Sequence, residues 1–160
     1  MRRAKLVHAL WFLATPACFA APPPSQRVAD VARDVNTASR FGTLEPILMH
    51  SADGARETIA KRRAKWGSDV RVLDLELTGV TMKDAENATV VVNFEWMRLD
   101  EDLLRQTRVE QTWRGVSEGK GWEIVRERRV GGDLGLFGEP VARLDSEPTA
   151  DVQFASKTIR

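Results

Sequence analysis

From Gln26 onward, apolar residues recur every three or four positions. Val28, Val31, Ala32, Val35 and Ala38 form one stripe, which predicts a helix running into Phe41-Gly42. A second, short helix is expected through His50, capped by Thr43 and tolerating Pro46 in its first turn. Ser51 to Gly54 reads as a turn and cap. Ala55 to Trp66 then forms a third helix with Ala55, Ile59, Arg62 or Arg63, and Trp66 toward one side, and Gly67 stands where a left-handed cap belongs. Beyond this point the period falls to two. Val70 to Met82 alternates but slips between Val72 and Leu73 and again near Gly79, the mark of a bulged, bent strand. After a Lys83–Asn87 turn come Ala88 to Leu99, Leu103 to Gly115 and Trp122 to Val130, with a Ser117–Gly121 turn before the last. Four strands joined by short connections predict an antiparallel meander.

The middle hairpin can be registered from chemistry. With Glu101-Asp102 as a two-residue turn, Val90 faces Trp113, Val92 faces Gln111, Phe94 faces Val109 and Trp96 faces Thr107. On the other side Glu95 meets Arg108, Thr89 meets Arg114, and Leu99 meets Leu104. One face is then apolar and the other carries opposite charges, as a half-solvated sheet requires. Pairing Val116 with Gly121 in the last hairpin sets Arg126 beside Gln111 and Arg128 beside Val109.

The ends of the chain have a different texture. Arg2, Arg3 and Lys5 precede an uncharged apolar run from Leu6 to Thr15, then Pro16 and a small-residue stretch. This is the layout of a secretory signal peptide over residues 1–20, cut between Ala20 and Ala21. The run is too short to span about 30 Å of hydrocarbon. Cys18 opens another route, in which it is lipidated and becomes the first residue of a membrane-anchored lipoprotein. Residues 21–25 read as a proline-rich linker and 26–138 as the domain, with Leu136 and Phe137 laid against it. Residues 139–160 have prolines, mixed charge and no period, and are expected to be a flexible, disordered tail.

Composition narrows the chemistry. Removing residues 1–20 takes the net charge from +1 to −2, so nothing attracts nucleic acid, and a membrane enters only through a lipidated Cys18. Cys18 is the single cysteine, His50 the single histidine after residue 20, and tyrosine is absent. Disulfides, thiolate nucleophiles and Cys/His metal sites therefore fall away together, and no cofactor or metal is expected. Any catalysis would have to use Asp, Glu, Arg and Lys.

Three N-terminal helices followed by a long, bent antiparallel sheet resemble the nuclear transport factor 2-like superfamily. This is the α+β cone fold of the SnoaL-type cyclases and ketosteroid isomerase. The residues carrying the resemblance are Phe41 to His50, Arg62 to Trp66 and Gly121 to Val125, within roughly residues 26 to 132. The resemblance implies a curved sheet around the helices with a pocket at its wide end. An isomerase-like site needs a tyrosine donor, which this chain lacks. Dehydratase-like sites use tyrosine and histidine, leaving only His50. Composition leaves room for an Asp–Arg–Asp hydrolase, but Asp69 and Asp74 flank the first strand while Asp100 and Asp102 sit at a hairpin tip.

In the registers above, Thr107, Gln111, Arg126 and Arg128 surround Trp96 and Trp113. Such a pocket suits a small anionic ligand, since arginine matches a carboxylate. The competing reading makes Arg126 to Arg129 a solvated edge strand and the tryptophans plain core. His50 is expected to act as a helix C-terminal cap. Asn87-Ala88-Thr89 matches a glycosylation sequon at a turn edge. The leading expectation is an exported, non-enzymatic α+β protein that binds a small ligand or an envelope partner, or forms a homodimer through its sheet. The alternatives are a hydrolase or isomerase using carboxylate and arginine, and a lipid-anchored envelope accessory protein.

Overall fold

Helix α1 (Pro24–Ser39) starts on a proline at its first turn, where the fixed φ suits a helix and the missing N–H costs nothing. The linker expected over residues 21–25 is thus shorter, because Pro24 and Ser25 already belong to the helix. The computed structural model describes residues 21–116 and 121–141, so the signal peptide, Cys18, Ala20, most of the Ser117–Gly121 turn and nearly all of the expected tail lie outside it. Helices α2 (Glu45–Met49) and α3 (Asp53–Arg63) follow, then strands β1 (Val70–Met82), β2 (Asn87–Arg98), β3 (Arg105–Gly115) and β4 (Trp122–Gly132). The class is α+β: three helices, then one antiparallel sheet in the order β1-β2-β3-β4.

The helices lie on one face of that sheet. Val28, Ala32 and Val35 of α1, Ile47 of α2 and Ile59 of α3 pack against Val90, Val92, Phe94, Val109 and Ile124. Burying each of the valine, isoleucine and phenylalanine side chains contributes about 1.5–3 kcal/mol. Thr43 does not cap α2: its N-cap is Leu44, with no side-chain bond. Trp66 lies past the end of α3, stacked on Phe137 and edge-on to Phe94, and its indole N–H donates to the Leu136 carbonyl at 2.8 Å. Leu136 and Phe137 are buried as expected, and Gly67 takes the left-handed conformation at φ +81°.

β1 bulges at Leu73 and Thr78, where the alternation slips. The β2–β3 register differs from expectation by two residues. Val90 pairs with Gln111, Val92 with Val109, Phe94 with Thr107 and Trp96 with Arg105. Glu95 consequently meets Gln106, and Thr89 meets Thr112. Leu99 and Leu104 fall in the connection and are exposed. A longer connection replaces the two-residue turn: Glu101 N–H donates to the Arg98 carbonyl at 3.3 Å, and its carboxylate bridges the strand ends, 3.5 Å from Arg98 and 2.5 Å from Arg105. A slip of two keeps every side chain on its face, so the apolar layer survives.

The β3–β4 register starts as expected, with Val116 N–H donating to Gly121 at 3.0 Å and Trp113 opposite Ile124. A bulge then places both Val125 and Arg126 opposite Thr112. From there the phase inverts. Glu127, not Arg126, comes beside Gln111, while Arg128 faces Glu110 rather than Val109. The free edge of β4 is covered in part by residues 50–52: Ala52 N–H donates to Ile124 at 3.0 Å, and Ile124 N–H to His50 at 2.6 Å.

Candidate functional site

Where helices meet sheet, four polar side chains are buried together: Asn36 of α1, Arg63 of α3, Gln111 of β3 and Glu127 of β4. Asn36 and Gln111 exchange reciprocal amide bonds, each 3.0 Å. Their second amide hydrogens go to the Ala32 carbonyl at 2.8 Å and to Glu127 Oε2 at 3.0 Å. Arg63 donates to Asn36 Oδ1 at 3.1 Å and to Glu127 Oε1 at 3.2 Å, and its Nη2 closes an ion pair with Oε2. Trp113 Nε1 adds a bond to Gln111 Oε1 at 3.3 Å. Every amide hydrogen of Asn36 and Gln111 is thereby used, and each oxygen of the cluster accepts at least one bond. Within this cluster Arg63 Nη1 alone finds no protein acceptor among the described residues. The guanidinium lies over Trp66, 4.3 Å from its ring centre, and 5.8 Å from that of Phe94.

The inner-face residues singled out from the sequence are equally committed. Trp96 Nε1 donates to Thr107 Oγ1 at 2.9 Å, and that hydroxyl donates to the Asp133 carbonyl at 2.8 Å. Trp96, Thr107, Gln111 and Trp113 do share the buried face. Arg126 and Arg128 do not join them: both are exposed. The expected inward pair of arginines is corrected by the Val125 bulge, which gives their place to one glutamate. Sequence reading missed Glu127 and Asn36. Asn36 carried a signal, since it follows Ala32 by four residues on the apolar stripe of α1. Glu127 carried none, flanked as it is by charges on both sides.

The outward arginines line a cleft of about 390 Å³ between α3 and β4, whose walls include Thr58, Ile59, Arg62, Arg126 and Arg128. Arg128 Nε donates to Glu110 at 2.9 Å. Arg62 reaches the Glu127 backbone carbonyl and sits 4.6 Å from the centre of the Phe137 ring. Arg126 has no carboxylate partner among the described residues. His50 follows α2, its Nδ1 lying 3.0 Å from the Trp122 carbonyl. Among the described residues no group of three or more His, Cys, Asp or Glu could hold a metal ion, and no described helix is long and apolar enough to cross a membrane.

Solved structures of similar fold include two from bacteria. One is a SEC-C motif containing protein from Rhodopseudomonas palustris, with a TM-score of 0.56 at 14% identity, covering 69% of this chain and 83% of that one. The other is a ketosteroid isomerase-like protein from Erwinia carotovora atroseptica, with a TM-score of 0.53 at 13% identity, covering 67% of this chain and 96% of that one. The fold of this chain resembles the nuclear transport factor 2-like fold. No family model and no curated protein matches the sequence. At such identities the likeness concerns the fold alone, and function has to be argued from the site.

Proposed function

We propose that this chain is an exported, non-enzymatic module of nuclear transport factor 2-like fold that binds a small anionic ligand or an acidic envelope partner at the α3–β4 cleft. The carrying observation is the bulge at Val125. It turns Glu127 inward, where Arg63 and Gln111 donate to its carboxylate, and turns Arg126 and Arg128 outward into the cleft. Interior polar groups thus hold helices to sheet, while cationic capacity stands at the surface. Export is supported by the basic head, apolar run and small-residue stretch of residues 1–20.

The test is titration of the Ala21–Arg160 chain with acetate, phosphate and citrate, followed by backbone NMR. Shifts should centre on Thr58, Arg62 and Arg126. Arg126→Ala should weaken binding about tenfold, the loss of roughly 1.4 kcal/mol of charge-assisted hydrogen bonding. Shifts centred on Asn36 and Gln111 instead would defeat the reading. Mass spectrometry of the exported protein distinguishes a free Ala21 terminus from a lipid-modified Cys18.

A second reading, a hydrolase or isomerase using carboxylate and arginine, has one observation in its favour: Glu127 is a buried carboxylate beside an arginine. A substrate would have to displace Arg63 to reach it. Turnover lost in Glu127→Gln with binding retained would establish that reading.

A further inference from the structure

The α1–α2 turn and the α3–β1 turn touch through two left-handed glycines. A Cβ built on Gly42 (φ +80°) would lie 3.0 Å from the Gly67 Cα, and one on Gly67 (φ +81°) 3.0 Å from the Gly42 Cα. That backbone-to-backbone contact is a stiff floor, since neither position accepts a side chain. Beside it opens a groove of about 420 Å³ walled by Arg40, Phe41, Arg71, Leu73 and Leu99. Phe41 is 76% exposed and Leu99 51%, so two large apolar side chains meet water on a rigid rim. Arg71 has no carboxylate partner among the described residues, and Arg40 has the 3.4 Å contact with Asp74. β1 is also an edge of the sheet among the described residues, and beyond the Val70 carbonyl, which accepts from Gly67 N–H at 2.8 Å, no described strand pairs with its outward side. Apolar rim, unneutralised cation and free strand edge together suit an extended, acidic, partly apolar segment.

The chain itself supplies one nearby. Gly138 and Glu139 line a small crevice with Lys65, Asp69, Val70 and Arg98. These residues adjoin Gly67, Arg71 and Leu99 in sequence, so Gly138 and Glu139, close to the last described residue, lie next to the groove. Nineteen residues follow Val141, enough to reach roughly 60 Å when extended. Leu144-Asp145-Ser146-Glu147 sets two carboxylates beside an apolar residue, Asp151 adds a third, and Val152 and Phe154 come next. We propose that residues 144–154 of the same chain dock in this groove. Asp145 and Glu147 face Arg71 and Arg40, and an apolar side chain covers Phe41 and Leu99.

The Ala21–Arg160 chain contains every described element of the fold and no cysteine, so Ser146→Cys gives a single site for a nitroxide label. Amides of residues 40–42 and 71–73 should lose peak intensity, while those of Lys83 to Asn87 keep theirs. Arg71→Glu should restore the lost intensity, and adding Asp145→Arg and Glu147→Arg to it should remove that intensity again. Uniform intensity at residues 40–42, 71–73 and 83–87 would overturn the proposal, as would broadening that Arg71→Glu leaves unchanged. Broadening seen only when labelled chains are mixed with isotope-enriched unlabelled ones would assign the groove to a second copy, and would equally overturn it.

Discussion

On β4, Glu127 meets Arg63 where neither side chain touches solvent, while one residue further on Arg128 meets Glu110 with 49% and 25% of their side chains exposed. Arg114 and Glu123 form a similar outer pair at the start of the hairpin. The chemistry is the same and the consequence differs. In the interior, desolvation penalises each charge heavily, and the pair is offset by further bonds, Arg63 donating to Asn36 and Glu127 accepting from Gln111. On the outer face water screens the attraction and the pairs stabilise weakly. Charge on this sheet therefore has two jobs. Inside, it ties α1 and α3 to β3 and β4; outside, it forms solvent-exposed pairs between neighbouring strands.

The largest expected effect is from Glu127→Ala, which strands Arg63 as an unpaired buried cation. A loss of about 3–5 kcal/mol is expected, lowering Tm by more than about 10 °C in thermal unfolding. The double change Arg63→Met with Glu127→Met should recover most of that loss, because it removes both charges and keeps volume. A single variant as stable as the native chain would erase the distinction drawn between the faces. Glu110→Ala is the outer counterpart, and its cost should stay below about 1 kcal/mol in denaturant unfolding and shrink further in high salt.

The smallest effect concerns the turn after β1. Backbone N–H donation from Glu86 and the side-chain amide of Asn87 hold the Asp84 carboxyl below the usual aspartate range. Its contribution is present above the ordinary value near pH 4 and is lost as pH falls through the lower folded one. Hydrogen exchange at Glu86 and Asn87 should therefore rise, relative to the base- and acid-catalysed trend of a free peptide, only at the acid end. A turn that loosens on raising the pH would contradict the assignment.

Much of the fold was legible because hydropathy reports on it directly. The bulges of β1 showed in the sequence, since Val72-Leu73 and the neighbourhood of Gly79 interrupt an apolar alternation. The bulge of β4 did not. It falls within Val125-Arg126-Glu127-Arg128-Arg129, where inward and outward positions are equally charged and no phase can be read. The β2–β3 register was two residues off for a related reason, since that slip leaves each residue on its own face and the apolar pattern cannot tell the two apart.

The amino-acid order alone determined the three helices, the four strands, their sequence along the chain and which side of β2 and β3 would be apolar. These follow from local periodicity and from burial that any compatible partner would satisfy. Only the tertiary structure decided which charge goes inside. Glu127 is held by Arg63, 64 residues away, and Arg63 by Asn36, 27 residues away. A charge is stable in the interior only when its partners arrive from other elements, and no local window of sequence contains them.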